Sequence, residues 1–113
     1  KRTNHTPPPD LAFLNRYAAA DGFHLLLCHH PEYYPAYIRQ TNVELTVSGH
    51  AHGGQWHLFG HDIYAPGQGL FPQYASGCHE NRLIVSRGMA NTVSPIPRLG
   101  NEPEIVALRL TAV

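Results

Sequence analysis

Two short stretches carry the residues that could do chemistry. "SGHAHGGQ" places His50 and His52 two residues apart, with glycine before and after them. "LLLCHHP" ends an apolar run in His29 and His30. Nine of the 113 residues are histidine, so imidazole is the reactive group this chain holds in excess. Neutral imidazole binds borderline ions such as Zn, Mn, Fe or Ni near physiological pH.

His29, His50 and His52 are the candidate metal ligands. Each follows a segment that reads as a strand. Loops beyond the C-terminal ends of buried strands commonly hold ligands, because the sheet positions them and solvent reaches them. Gly49, Gly53 and Gly54 would permit a sharp turn and a close approach of backbone to a ligand. The plain alternative is that these are ordinary loop histidines in a histidine-rich chain. A hydrolytic two-metal site also needs acidic ligands, usually with one oxygen bridging both ions. The three Asp residues are Asp10, Asp21 and Asp62, and none ends an apolar strand. Residue type and spacing therefore describe a partial metal site.

The elements that must position these groups follow from the pattern. Residues 1–9 are polar and proline-rich and read as an irregular entry. Asp10 can cap a helix over "LAFLNRYAAA", with Leu11, Leu14, Ala18 and Tyr17 on its inner face and "DG" at 21–22 ending it. The run Leu25 to Cys28, bounded by Gly22 and Pro31, is short enough to favour a buried strand. Pro35 restricts any helix in "EYYPAYIRQT" to a start after it. "NVELTVSG" reads as a second strand, "NRLIVSRG" as a third and "PEIVALRLT" as a fourth. Residues 53–81 hold six glycines and two prolines, which predicts loops and short strands. The fold class expected is α/β, with one N-terminal helix and strands predominating toward the C-terminus.

Composition narrows the function classes. Eight Lys and Arg balance eight Asp and Glu, so there is no charge excess to hold nucleic acid. Charged residues make up 14% of the chain, low for a soluble domain. Two cysteines, Cys28 and Cys78, do not make a disulfide framework, though one bridge is open to them. No apolar run has membrane-spanning length and no signal peptide is visible. The chain begins at Lys1, so the native start is expected to lie upstream.

With "LLLCHHP" and "SGHAHGGQ" in this order, the chain resembles the C-terminal half of a calcineurin-like metallophosphoesterase. "GLFPQYASG" and "RLIVSRGMANTVSPIPRLGNEPEIVALRL" are similar to the tail of the bacterial YkuE/YaeI-like branch. The resemblance runs from about Leu11 onward. It implies that residues 10–113 are the C-terminal part of a domain built of two packed sheets flanked by helices, with metals in loops at one end. It assigns His29 and His50 to the second metal and His52 to the first, and leaves His30 at a variable position. It implies two divalent ions (Mn, Zn, Fe or Ni) and a small phosphoester substrate, with phospholipid-like esters included, and no nucleic acid. It also implies a bacterial parent, cytoplasmic or membrane-associated through an absent N-terminal segment. The upstream DxH, GD and GNHE motifs of that family are absent here. The expectation is therefore a fragment that binds metal weakly and hydrolyses phosphoesters poorly alone, whose missing N-terminal half leaves surfaces that self-associate. A non-catalytic domain retaining a partial metal site, or a fragment with no independent role, are the competing readings.

Other residues have weaker claims. Arg87 and Arg98 could recognise phosphate through the guanidinium fork, and Gln55 could touch substrate from beside the metal loop. Trp56, Phe59, Tyr64, Phe71 and Tyr74 are expected mainly as core, with some near a substrate cleft under the resemblance. Cys28 and His29 alternate along a strand, which argues against a Cys/His catalytic pair and places Cys28 in the packing. "RGMANT" at 87–92 is expected as a loop near the active end.

Overall fold

The computed structural model describes residues 7–90 and 97–112. Most of the irregular entry and the end of "RGMANT" lie outside the described residues. The described residues form a mixed α/β fold with one α-helix and two sheets.

Helix α1 spans Leu11–Ala18. The Asp10 carboxylate accepts from the Phe13 N–H at 2.9 Å, satisfying one of the donors that a helix start leaves free. Leu14 and Ala18 are buried and Tyr17 packs against the core. Leu11 does not join them and stays exposed. A helix of 8 residues presents only a narrow inner stripe, and that stripe is filled without Leu11.

Strand β1 is Leu25–Leu27 and β2 is Leu45–Ser48. They pair in parallel, Leu25 with Leu45 and Leu27 with Val47. A parallel pair needs a crossover, and here it contains one turn of π-helix, Tyr34–Ile38. That turn starts one residue before Pro35 rather than after it. Pro35 falls in its first turn, where a missing N–H costs nothing. The π spacing appears in the Arg39 N–H donating to Tyr34 O at 2.8 Å. It buries both Tyr34 and Ile38.

Strand β7, Leu83–Val85, pairs in parallel with β2, and β6, Gly77–His79, pairs antiparallel with β7. The sheet order is β1-β2-β7-β6. β2 and β7 are the inner strands, and Leu45, Thr46, Leu83 and Val85 are all buried. Arg82 ties the start of β7 to the crossover by donating to the carbonyls of Arg39, Thr41 and Val43 at 2.7 to 2.9 Å.

The glycine-rich stretch makes a separate antiparallel sheet, β3 (Trp56–Leu58), β4 (His61–Ala65) and β5 (Gly69–Leu70). Phe59 and Gly60 form the two-residue turn between β3 and β4, both with positive φ. This places Phe59 at a hairpin tip, 99% exposed, and Phe71 is 71% exposed. Of the five aromatics expected mainly as core, only Tyr74 is fully buried; Trp56 is half-buried and Tyr64 lies at the surface.

The expected fourth strand is not formed among the described residues. Residues 103–112 have no strand pairing, and Ile105 is 78% exposed. The segment is attached near its start, where the Glu104 N–H donates to Gly88 O. It has no place beside β7, the strand before it, which already has β2 and β6 on its two edges. Strands therefore concentrate in the middle of the chain, not toward its end. Cys28 packs against the core as expected, and both cysteines are free thiols.

Candidate metal centre

The parallel register of β1 and β2 brings the two histidine stretches to the same end of the sheet. The Gly49 N–H donates to His29 O at 3.2 Å, extending the pairing one step past the strands. His50 Nδ1 then lies 3.2 Å from His29 Nε2. The His30 ring centroid is 4.1 Å from that of His50. Three histidine rings thus meet from two segments, His29 and His30 after β1 and His50 after β2, while His52 lies near enough for His29 to lower its pKa.

The remaining described histidines are used elsewhere. His24 is buried, between Glu44 and the Ala20 carbonyl. His57 pairs with Asp62 at 2.7 Å. His79 meets the Ser76 carbonyl at 2.8 Å. His61 is exposed on β4.

The backbone at "GHAHGGQ" is unusual. His50 and His52 themselves have positive φ, 61° and 49°, and Gln55 has 37°. A side chain in that region costs roughly 1–2 kcal/mol. The turn that aims the imidazoles is therefore made partly by the histidines, not only by glycine. Gly53 and Gly54 serve a different need. A Cβ on Gly53 would collide with Asn101 and Arg87, and one on Gly54 with Asp62. The glycines let these side chains pack directly on the loop, so the close approach is made by protein and not by a ligand. The Asn101 amide also donates to the His52 carbonyl.

Burial lowers the pKa of both His50 and His52. For His50 the neighbouring His30 adds to the effect, and for His52 the charge of Arg98 does. Both rings are thereby biased toward the neutral form that binds metal. The 3.2 Å between the His29 and His50 nitrogens is close to the spacing of two ligands on one tetrahedral ion with bonds of about 2.1 Å.

One donor was missed at the level of spacing. Glu32 lies beside the cluster, its Oε1 3.1 Å from His30 Nδ1. Ligand atoms of His30, Glu32 and His50 all fall within 4.8 Å of one another. Its signal in the sequence is "HHPE", a carboxylate two residues past His30. Asp10, Asp21 and Asp62 do not reach the cluster: Asp10 caps α1, Asp62 holds His57, and Asp21 lies exposed after the helix.

The three candidate substrate contacts fare differently. Arg87 is paired with Glu104 at 3.0 Å. Arg98 donates to the Arg87 carbonyl through Nη2, while its Nε and Nη1 are buried with no partner among the described residues. Gln55 is 2% exposed, and its carbonyl accepts from the Leu99 N–H. The side chain that would touch substrate is thus turned away from solvent.

Comparison with known proteins adds one relative. The chain is 32% identical, over 81 residues, to the uncharacterized protein YpbG of Bacillus subtilis (strain 168). The match covers 71% of this chain and 28% of that protein, so the chain spans less than a third of its relative's length. No family model matches the chain. No solved structure matches it.

Proposed function

We propose that this chain is the metal-binding C-terminal portion of a metal-dependent phosphoesterase, and that its parent hydrolyses a phosphomonoester or phosphodiester at a two-ion centre. The observation that carries the reading is the convergence of His29 and His50 at 3.2 Å from the ends of adjacent parallel strands, with His52 following on a turn of positive φ. The resemblance of "LLLCHHP" and "SGHAHGGQ" to calcineurin-like metallophosphoesterases supports the same assignment. His29 and His50 would hold one ion and His52 the other. Divalent ions bound there would activate water and neutralise charge on a phosphoryl group.

The chain's own residues have defined parts in this scheme. β1 and β2 fix the separation of the imidazoles. Burial lowers the pKa of His50 and His52 and so favours their neutral form. The Arg98 guanidinium, whose charge is felt at His52, would meet a phosphoryl oxygen only if its buried Nε and Nη1 became accessible. Arg87 has its charge satisfied by Glu104 and serves to hold the C-terminal segment. Among the described residues the carboxylate at the cluster, Glu32, groups with His30 and His50 and not with His52, so the chain alone is expected to turn over substrate poorly.

The test is metal analysis and a phosphoester screen on the full-length parent. Two divalent ions per molecule and turnover are expected, with His50→Ala and His52→Ala each abolishing it. A metal-loaded parent without phosphoesterase activity, or full activity in either variant, would overturn the reading.

A further inference from the structure

We infer that the 113-residue chain holds a single borderline divalent cation of its own, of the Zn2+ class, through His30, Glu32 and His50. Two of these three ligands lie outside the His29, His50, His52 set, and the inference does not depend on phosphoester hydrolysis.

The donors are already assembled. Their ligand atoms lie within 4.8 Å of one another, and all three residues are half-buried. His30 Nδ1 and Glu32 Oε1 are 3.1 Å apart, near the spacing of two donors on one ion with bonds of about 2.1 Å. Two imidazoles and one carboxylate are a donor set that binds Zn2+ while leaving a coordination position open. The carboxylate supplies the negative charge that three imidazoles lack.

Each donor is fixed by structure that precedes the ion. Pro31 is buried and starts the turn in which the Tyr34 N–H donates to the Pro31 carbonyl at 3.0 Å. The Cys28 thiol donates to the His30 carbonyl at 3.5 Å, and the Tyr33 N–H to the same oxygen at 3.2 Å. The Glu32 carboxylate lies against Gly67, in the connection between β4 and β5, where a Cβ would strike it. The second sheet therefore takes part in positioning this ligand. His29, 3.2 Å from His50, stands by as a further donor.

The experiment is calorimetric titration of the metal-free 113-residue chain with Zn2+, with Co2+ visible absorption as a second readout of the ligand field. One equivalent is expected to bind. His30→Ala and Glu32→Gln should each weaken binding by at least about tenfold, and His52→Ala should weaken it less than either. Glu32→Gln keeps the side chain's shape, and far-ultraviolet circular dichroism establishes that the variant is folded. Glu102→Gln, at an exposed position, should bind as the unaltered chain does. Absence of Zn2+ binding by the unaltered chain overturns the inference. So does unchanged binding in folded Glu32→Gln or His30→Ala, or equal loss in His52→Ala. The last pattern would return the ion to His29, His50 and His52 and leave the proposed function of the parent standing. Conversely, an inactive metal-loaded parent would remove that function without touching this site.

Discussion

His29 and His50 are 21 residues apart in sequence, yet their ring nitrogens approach to 3.2 Å. The approach is a consequence of register. Leu27 pairs with Val47, so the residues two beyond Leu27 and three beyond Val47 leave the sheet side by side. A shift of one residue would send the His29 side chain to the other face.

The burial of His50 and His52 predicts how stability depends on pH. Both have folded pKa values below the ordinary histidine value of about 6.5. Between that value and the lower folded ones, the unfolded chain binds more protons than the folded chain. Stability is therefore complete above about pH 6.5 and falls as pH drops through the folded values. Thermal unfolding of the metal-free chain followed from about pH 8 to about pH 5 should show this loss. His50→Gln should flatten the profile. Glu44 and Glu80, whose pKa values are lowered chiefly by hydrogen bonds from His24 and Tyr34, lose their contribution in a separate, more acidic window.

The positive φ of His52 makes a second prediction. Glycine occupies this region without the Cβ penalty of roughly 1–2 kcal/mol. His52→Gly should be more stable than His52→Ala by about 1 kcal/mol in urea unfolding. It should also match or exceed the unaltered chain, since His52 adds burial of an imidazole beside Arg98. A His52→Gly protein less stable than His52→Ala would mean that the turn is not strained.

Thr46 is fully buried in the inner strand β2, and its hydroxyl has no partner among the described residues. Thr46→Val keeps the branched shape and removes a desolvated hydroxyl. The expected gain is about 1 kcal/mol, read as a raised urea midpoint with an unchanged slope. A loss of stability would show that the hydroxyl is satisfied.

β1 predicts self-association. It ends the order β1-β2-β7-β6, so its outer edge is unpaired among the described residues. Leu27 on it is 79% exposed, and Phe13 and Phe23 are exposed nearby in sequence. Unpaired edges with apolar side chains template pairing with another chain. Sedimentation velocity at high concentration should show oligomers, and Leu27→Lys should shift the distribution toward monomer. A monodisperse monomer of the unaltered chain would contradict this.

Much of the framework was legible in the residues. Asp10 before an amphipathic run announced α1, because capping and a narrow apolar stripe are local properties. The apolar run at 25–28 and the β-branched run before Gly49 announced β1 and β2 as strands, but the buried strand expected at 25–28 is an edge strand, with Leu25 and Leu27 exposed, because sheet order is set by pairing and not by local polarity. The same local logic failed at 103–111, where apolar alternation satisfies the strand pattern but pairing depends on a free edge elsewhere. It failed for Phe59 and Phe71 too, since aromatic residues favour burial on average and a two-residue hairpin turn still places Phe59 at its tip. No described helix is long and apolar enough to cross a membrane, in keeping with the absence of a long apolar run.

The sequence by itself determined which groups were available: imidazoles at the ends of two apolar segments, and glycines around one pair. Spacing along the chain is enough for that, because it governs strand formation and turn propensity. Only the tertiary structure decided which imidazoles meet, that His50 and His52 bear positive φ themselves, and that Gly53 and Gly54 exist to admit Asn101, Arg87 and Asp62. It alone brought Glu32 to the cluster. The reason is that metal-ligand geometry is set by distances between side chains across a parallel strand pair. Those distances follow from register and packing, and neither can be read from neighbours in sequence.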